Sequence, residues 1–298
     1  MRRSGIAASF FGGPGFTLYH AYGPHGQVPQ SPHFHDEYLI CAQIRGHEAC
    51  RVGGRTLEFF AGDLVLINPE QVHTGNSRGE EVEYVSLYVD RGTVADLART
   101  LGAPTTTPEF TVIRAERRRD LTDALLDLLR LVRSSTAPEG SPDAPPGPGA
   151  PVPLDLAVEE ALHRVLVGAF EAFSNLRRPR LLSTRRVPHR HIARAVDYIR
   201  ELAHTDALKT VTLDELAGVA GLSKYHFLRE FDRFVGMTPG GYLRTMRLCH
   251  AARLLRTTDR PIADVAQAAG FSDHPSFSRA FRRAFGLPPS AYRRLGTR

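Results

Sequence analysis

The feature that most constrains this fold is a repeat within the last third of the chain. The segment LSKYHFLREFDRFVGMTPGGYLR at 222–244 is followed by a second copy, FSDHPSFSRAFRRAFGLPPSAYRR, at 271–294. Both copies carry phenylalanines spaced by four residues and a Gly-x-x-Pro ending. Together with the apolar residues before it, each copy predicts a helix, a tight turn and a second helix. We therefore expect a C-terminal helical domain with two helix-turn-helix units.

Residues that typically begin and end helices lie at the predicted helix ends of both helix-turn-helix units. In copy one, a Thr-x-x-Glu capping box opens the first helix and a serine can cap the second. In copy two, each helix has a proline suited to its first turn. Glycines fall in both turns and at the ends of both second helices, where positive φ angles are common. These residues are Thr212, Glu215, Ser223, Pro261, Pro275, Gly221, Gly236, Gly270 and Gly286.

The second helix of each copy has an apolar side and a basic side. Phenylalanines recur every four residues on the apolar side and are expected to be buried. The opposite side carries Lys224, His226, Arg229 and Arg233 in copy one, and His274, Ser276, Ser278, Arg279, Arg282 and Arg283 in copy two. A helix of this kind suits the major groove of DNA. A helix predicted at 241–256 would fix the spacing of the two reading helices.

The distribution of charge supports a nucleic-acid partner. Residues 185–298 hold 20 Lys and Arg against 10 Asp and Glu, a formal charge of +10, whereas residues 1–184 hold 18 against 22, a charge of −4. This asymmetry favours a nucleic-acid-binding module attached to another domain. No apolar run reaches the roughly 18 residues that a membrane span requires. Cys41, Cys50 and Cys249 lack CxxC spacing, so we expect buried thiols rather than a disulfide framework.

The N-terminal part, residues 10–90, is predicted to be rich in β-strands. Short apolar runs bounded by turn residues lie at 38–46, 63–68 and 82–89. Gly53 and Gly54 predict a two-residue hairpin turn. Frequent short strands favour a sandwich or barrel over alternating strands and helices.

Two amphipathic helices are predicted after the strands, near 117–133 and 154–175. Between them, residues 134–153 contain seven prolines and three glycines, a composition that predicts a disordered loop. The expected organisation is an effector-binding barrel at 1–115, a helical segment with this loop at 116–180, a linker at 181–190 and a DNA-binding domain at 191–298.

The segment RLCHAARLLRTTDRPIADVAQAAGFSDHPSFSRAFRRAFGLPP, at 247–289, resembles the signature of the AraC/XylS family of transcriptional regulators. The resemblance covers about 195–294 and implies two helix-turn-helix subdomains joined by a helix. It places base-reading positions at Tyr225, Leu228 and Arg229 in copy one, and at Ser276, Ser278 and Arg279 in copy two. Leu228 departs from the polar residue often found there and could contact a thymine methyl group instead.

The segments PHFHDEY at 32–38 and GDLVLINPEQVHTGN at 62–76 resemble two motifs of a cupin barrel. This resemblance implies an effector pocket near His33, His35, Glu37 and His73. In metal-binding cupins, three histidines and a glutamate hold a divalent ion, but Glu37 lies too early for that pattern. The three imidazoles could still hold Zn²⁺ or Fe²⁺. The family resemblance favours a pocket without metal, so no cofactor is expected.

The expected fold class is α+β: a cupin-like β-barrel with a helical dimerisation segment, then an all-α domain with two helix-turn-helix subdomains. The family implies that the helices near 117–133 and 154–175 form a homodimer; alternatively, their apolar faces cover the barrel. The expected partners are double-stranded DNA at promoter sites, a small-molecule effector, RNA polymerase and a second copy of the chain, with no membrane. The expected location is the cytoplasm, in association with the nucleoid.

Three functions compete at this point. The first is a sequence-specific transcriptional regulator, not an enzyme, whose promoter occupancy is controlled by a small molecule in the barrel. The second is a cupin-type metalloenzyme with a helical appendage. The third is a protein that coats DNA without sequence preference, which would bind with strong salt dependence.

Overall fold

The computed structural model describes residues 7–24, 32–105, 107–136, 150–152, 155–178, 190–204 and 211–295. The contacts between residues divide the described chain into two units. The first unit holds the described residues up to 178, apart from Pro32–His35, and the second holds Pro32–His35 together with 190–295. The predicted linker at 181–190 lies outside the described residues except for Arg190, which begins a helix.

An eight-stranded sheet forms the framework of the first unit. Its strands are β1 (Ala7–Gly13), β2 (Phe16–Pro24), β3 (Tyr38–Val52), β4 (Arg55–Phe60), β5 (Leu64–Ile67), β6 (His73–Val89), β7 (Arg114–Ala115) and β8 (Ala150–Pro151). The pairing order is β7-β5-β3-β6-β2-β1-β8, and β4 pairs with β3. Neighbouring strands are antiparallel, while β1 and β8 run parallel. The predicted β-rich N-terminal domain is confirmed as an antiparallel sheet.

The predicted hairpin turn is confirmed, and two strands are longer than expected. Gly53 and Gly54 have φ angles of 57° and 78° and join paired residues of β3 and β4. Strand β3 does not end near Gly46 but continues to Val52 through a bulge. Gly46 has a φ of 76°, and a β-carbon there would stand 2.2 Å from the backbone oxygen of Glu81. Only glycine fits this bulge, and the strand continues because the bulge bends it without ending the pairing.

Three helices cover one face of the sheet. They are α1 (Arg91–Thr100), α2 (Arg119–Thr136) and α3 (Leu156–Phe173). The predicted helices near 117–133 and 154–175 are confirmed as α2 and α3. Helix α1 was not predicted, although Asp90 caps it by accepting a hydrogen bond from the backbone nitrogen of Thr93 at 2.7 Å. An acidic residue before a pattern of buried Val94, Leu97 and Ala98 was its signal in the sequence.

The apolar stripes of α2 and α3 are used within the first unit. Both helices bury apolar side chains in one core with the sheet, among them Leu125, Leu128, Val165 and Phe170. The structure therefore matches the alternative in which these faces cover the sheet. Dimerisation through α2 and α3 stays a prediction, and it would have to use faces other than these buried stripes.

Both ends of the segment 134–153, which the sequence predicts to be a disordered loop, contain regular structure. Residues 134–136 continue helix α2, where the hydroxyl groups of Ser134, Ser135 and Thr136 donate to backbone oxygens four residues earlier. At the other end, β8 pairs with β1, and Val152 is buried. These local hydrogen bonds and this burial offset the Pro-rich composition at both ends. The intervening part of the predicted loop lies outside the described residues.

The second unit is helical. Its helices are α4 (Arg190–His204), α5 (Leu213–Ala220), α6 (Lys224–Val235), α7 (Pro239–Thr257), α8 (Ile262–Ala268), α9 (His274–Phe285) and α10 (Pro289–Leu295). Helices α5 and α6 form one helix-turn-helix unit, and α8 and α9 form the other. The predicted connector is confirmed as α7, whose Leu243 and Leu254 are half-buried rather than fully inward. None of the described helices combines the length and apolar composition needed to span a bilayer.

Candidate functional site

The two helix-turn-helix turns share one geometry. Gly221 and Gly270 have φ angles of 66° and 76°, as the sequence predicted. An arginine from a supporting helix lies against each turn. Arg194 of α4 donates to the backbone oxygen of Ala220 at 3.1 Å, and a β-carbon at 270 would stand 2.6 Å from Nη1 of Arg247 in α7. Burial lowers the pKa of Arg247. The orientation of each second helix is thus tied to the helix behind it.

The caps of the two second helices differ in charge. Ser223 accepts a hydrogen bond from the backbone nitrogen of His226 at 3.5 Å, which confirms the predicted cap. In copy two, Oδ1 of Asp273 accepts from the backbone nitrogen of Ser276 at 2.7 Å. This hydrogen bond lowers the pKa of Asp273. The sequence prediction for this helix names Pro275 and misses Asp273, although an Asp before a helix is itself a cap signal.

The prolines occupy two different positions. Pro275 lies in the first turn of α9, as predicted. Pro261 instead stands just before α8, with a φ of −49° and a ψ of 142°, and makes no side-chain cap hydrogen bond. Its ring fixes φ before the helix but provides no acceptor for the first backbone nitrogens.

The predicted DNA-contacting residues of α6 are all exposed: Lys224, Tyr225, His226, Leu228 and Arg229. Tyr225 is 74% exposed and Leu228 is 40% exposed, whereas Phe227 and Phe231 on the opposite side are fully buried. The guanidinium of Arg229 lies 5.9 Å from the centre of the Tyr225 ring. Helix α6 therefore presents an aromatic and an aliphatic side chain beside its cations.

Helix α9 presents a more polar surface. His274, Arg279 and Arg282 are exposed, and Ser276 and Ser278 are half-buried. Nη2 of Arg279 donates to Oγ of Ser276 at 3.1 Å, which holds the guanidinium along the start of the helix. Among the described residues, no carboxylate forms an ion pair with Arg279, Arg282 or Arg283. This surface can donate several hydrogen bonds to the acceptors of base edges and phosphates.

The four residues predicted for an effector pocket do not gather in one unit. The contacts assign His33 and His35 to the second unit, and Glu37 and His73 to the first. His73 is buried, with Nδ1 at 2.9 Å from the backbone oxygen of Gln71. In the part of the chain that the structure describes, no three His, Cys, Asp or Glu side chains are grouped to hold a metal ion. The effector pocket at these residues and the possible metal ligation by His33, His35 and His73 stay predictions.

Sequence reasoning missed a cluster of ionisable groups on the sheet, of which Cys41 and Cys50 are buried and Glu48 and Tyr84 are half-buried. Burial raises the pKa of Glu48 to about 7 and that of the Cys41 thiol to about 12, and it also raises the pKa of Cys50 and Tyr84. Cys41 and Cys50 are buried thiols as predicted, whereas Cys249 is half-buried. Glu48 carried no motif that could have revealed it. Only the pairing of β3 with its neighbours brings these groups together.

Comparison with known proteins covers both units. Residues 13–145 match the model of an AraC-like ligand binding domain, and residues 216–295 match a helix-turn-helix domain. The chain is 39% identical over 83 residues to the HTH-type transcriptional activator AarP of Providencia stuartii, which is 28% of this chain and 62% of that protein. It is also 39% identical over 87 residues to the probable transcription factor PqrA of Proteus vulgaris, which is 29% of this chain and 71% of that protein. The chain thus spans less than two thirds of AarP.

Among solved structures, ToxT from Vibrio cholerae O395 has a similar two-domain fold. Its crystal structure aligns with a TM-score of 0.53 at 12% identity, covering 95% of this chain and 99% of ToxT. Another ToxT structure, with a TM-score of 0.50, 12% identity and coverage of 95% of this chain and all of ToxT, holds (E)-4-(8-methylnaphthalen-1-yl)but-3-enoic acid. The matched domains, their order and the similarity to PqrA agree with the doubled helix-turn-helix described above, so this chain belongs to the AraC family of transcriptional regulators.

Proposed function

We propose that the protein binds specific promoter sites on double-stranded DNA through α6 and α9 and that a small molecule bound in the first unit controls this binding. The proposal rests on the two reading helices α6 and α9. Each has fully buried phenylalanines on one side and exposed basic, hydrogen-bonding side chains on the other. Helix α7 has 19 residues and is therefore about 28 Å long. Adjacent major grooves on one side of DNA are about 34 Å apart, so one chain can read two neighbouring turns.

Control by a small molecule is supported by the ligand-binding family model and by the bound acid in a ToxT structure. The ligand would have to bind one arrangement of the protein more tightly than another, since only a difference in affinity shifts an equilibrium. A homodimer, contact with RNA polymerase and a cytoplasmic location at the nucleoid belong to the same proposal. The resemblance to the family implies the homodimer, and the other two are expected of a regulator that acts at promoters.

The two competing functions have weaker support. The matching relatives are transcription regulators, and the described residues hold no metal-binding cluster, so a cupin-type metalloenzyme is not favoured. A protein that coats DNA evenly would need no difference between its two readers. Helices α6 and α9 instead present different side chains, which favours recognition of two different short sequences.

The proposal is tested by selection of genomic DNA fragments with the purified full chain near physiological salt, followed by sequencing. We expect two short sequence blocks whose centres lie about one helical turn, roughly 10 base pairs, apart. The double variant Arg279→Ala, Arg229→Ala serves as the matched control and should lose the enrichment while keeping its melting temperature.

Enrichment of a single block would show that only one copy reads bases. Binding without any enriched sequence, equal for unrelated DNA and steeply dependent on salt, would replace the proposal with sequence-independent coating.

A further inference from the structure

A cavity of about 880 Å³ opens on the helix-covered side of the sheet, near the end of α2. Its volume is within the range of small-molecule pockets. Its main polar lining residues are His20 and Tyr22 of β2, Arg45 of β3, Glu81 and Glu83 of β6, and Arg133 of α2. The four residues that the sequence suggested for an effector pocket are not part of this lining.

Both acids in the cavity already have partners. Oε1 of Glu83 lies 3.0 Å from Nε2 of His20, and its other oxygen lies 3.4 Å from Nε of Arg45. Arg45 also approaches Glu81 at 4.0 Å. The bulge that Gly46 allows in β3 brings Arg45 to this position opposite β6. A cationic ligand would compete with Arg45 for both acids.

Arg133 is in a different situation. Its Nη2 lies 2.7 Å from Nδ1 of His20, and a guanidinium can only donate. Nδ1 therefore accepts, and the single proton of His20 is on Nε2, donated to Glu83. Burial lowers the pKa of His20; the hydrogen bond to Glu83 opposes this shift, and the charge of Arg133 adds to it. His20 is thus neutral near pH 7, and among the described residues no carboxylate pairs with Arg133.

We propose that this cavity binds a small monocarboxylate, whose two oxygens pair with the guanidinium of Arg133 and whose apolar body lies against Tyr22. The planar guanidinium matches a carboxylate in two parallel hydrogen bonds. The ring of Tyr22 is stacked on His20 with centroids 5.4 Å apart and is 49% exposed. Glu81 and Glu83 disfavour a ligand with two negative charges, such as a phosphate.

This inference rests on the proposed function, because it names the class of molecule that would act as effector. Binding itself can be measured without DNA, so the two proposals fail separately. A carboxylate held by Arg133 would join the last turn of α2 to the sheet. Ligand binding to the folded state alone should therefore raise the melting temperature of the protein.

The test is isothermal titration calorimetry of the full chain with hexanoate, octanoate and phenylacetate, each compared with its neutral amide. We expect at least one acid to bind about tenfold or more tightly than its amide, a difference of about 1.4 kcal/mol. Arg133→Gln should abolish this preference. Arg130→Gln is the matched control, since Arg130 is one turn earlier on α2 and pairs with the exposed Asp127; it should leave the preference unchanged.

Melting curves of both variants establish that they fold. The proposal is overturned if no acid binds better than its amide, if Arg133→Gln retains the preference, or if Arg130→Gln loses it equally. DNA binding that depends on Arg229 and Arg279 while the acids fail to bind would leave the regulator proposal standing and remove only this inference.

Discussion

The two reading helices share a packing scheme but differ in how their charges are balanced. Helix α6 contains three basic and two acidic residues, and α9 contains three arginines and no acid. In copy one, Lys224 pairs with Asp214 at 2.8 Å, while Arg229 and Arg233 approach Glu230 at 3.6 and 3.7 Å. In copy two, Arg279 donates to Ser276 and α9 itself contains no acid, although the charge of Arg279 acts on the carboxylate of Asp273 that caps the helix.

This difference in charge pairing indicates that α6 and α9 contribute differently to DNA binding. Cations that form no ion pair gain more when they meet DNA phosphates or base acceptors, because no existing ion pair is weakened. We expect α9 to supply most of the electrostatic affinity. Helix α6, with exposed Tyr225 and Leu228, is better suited to apolar contact with bases such as the thymine methyl group.

The largest expected effect is on folding stability and concerns the buried phenylalanines that α6 and α9 have in common. Phe281→Ala and Phe231→Ala should each cost about 3–5 kcal/mol of folding stability, because both rings are fully buried. Each ring has a tyrosine neighbour, Tyr242 at 5.8 Å from Phe231 and Tyr292 at 5.2 Å from Phe281. Phe281 should be at the upper end, since its ring also lies 4.5 Å from that of Phe285. Denaturant unfolding measures both. A much smaller loss for Phe231 would show that copy one is loosely packed and would break the comparison.

The next largest effect is on specific DNA binding and should differ between α9 and α6. Arg279→Ala should cost about 1–3 kcal/mol of specific binding and relax the preference at one or two base pairs. Arg229→Ala should cost less, because Arg229 lies over Tyr225 and near Glu230. Competition binding against sites with single base-pair changes measures both losses. If Arg229→Ala has the larger effect, copy one is the principal reader.

A smaller effect concerns phosphate contact. Arg283→Ala should weaken binding evenly across sequences and reduce the slope of log K against log salt by about one. Arg233→Ala at the matching place in α6 should change the slope less, since Glu230 already neutralises part of its charge. Anisotropy titrations over a range of salt concentrations provide the slopes. Equal slope changes would mean that the pairing with Glu230 has no influence on binding.

The smallest effect is on the helix caps and depends on pH. The folded pKa of Asp273 lies below its ordinary value of 3.8, so this carboxylate stabilises the protein above that pH, and the contribution is lost as pH falls through the folded pKa. Asp273→Asn keeps an N-cap acceptor without charge. Its melting temperature should lie slightly below that of the wild type at neutral pH, and the gap should close below about pH 4. If the difference in melting temperature between the wild type and Asp273→Asn persists in acid, its cause is packing rather than the charge of Asp273.

Ser223 provides the comparison for this last prediction, because its hydroxyl does not titrate in this range. Ser223→Asn should therefore shift the melting temperature by the same amount at neutral pH and in acid. A pH-dependent shift in that variant would indicate that other carboxylates near the second unit are responsible.

Much of the second unit could be predicted because its signals are local. The turn glycines, the cap Ser223 and the spacing of Phe277 and Phe281 act over a few residues, within the reach of a single helical turn. The strand ends of β3 and β6 could not be predicted in the same way. They depend on a bulge at Gly46, where the missing β-carbon leaves room for the backbone oxygen of Glu81, which is far along the chain.

The sequence alone determined the two helix-turn-helix units, the basic faces of α6 and α9 and the β-rich first unit. Helical period, caps and turns depend on residues that are close together in the sequence. The tertiary structure decided which charges are balanced. Lys224 meets Asp214 across a turn, and His20 meets Arg133 although 113 residues separate them. Such pairs depend on how elements pack, and packing joins residues whose distance along the chain carries no pattern. The effector-pocket histidines stay a prediction, because the two motifs name residue types and the contacts assign His33 and His35 to one unit and His73 to the other.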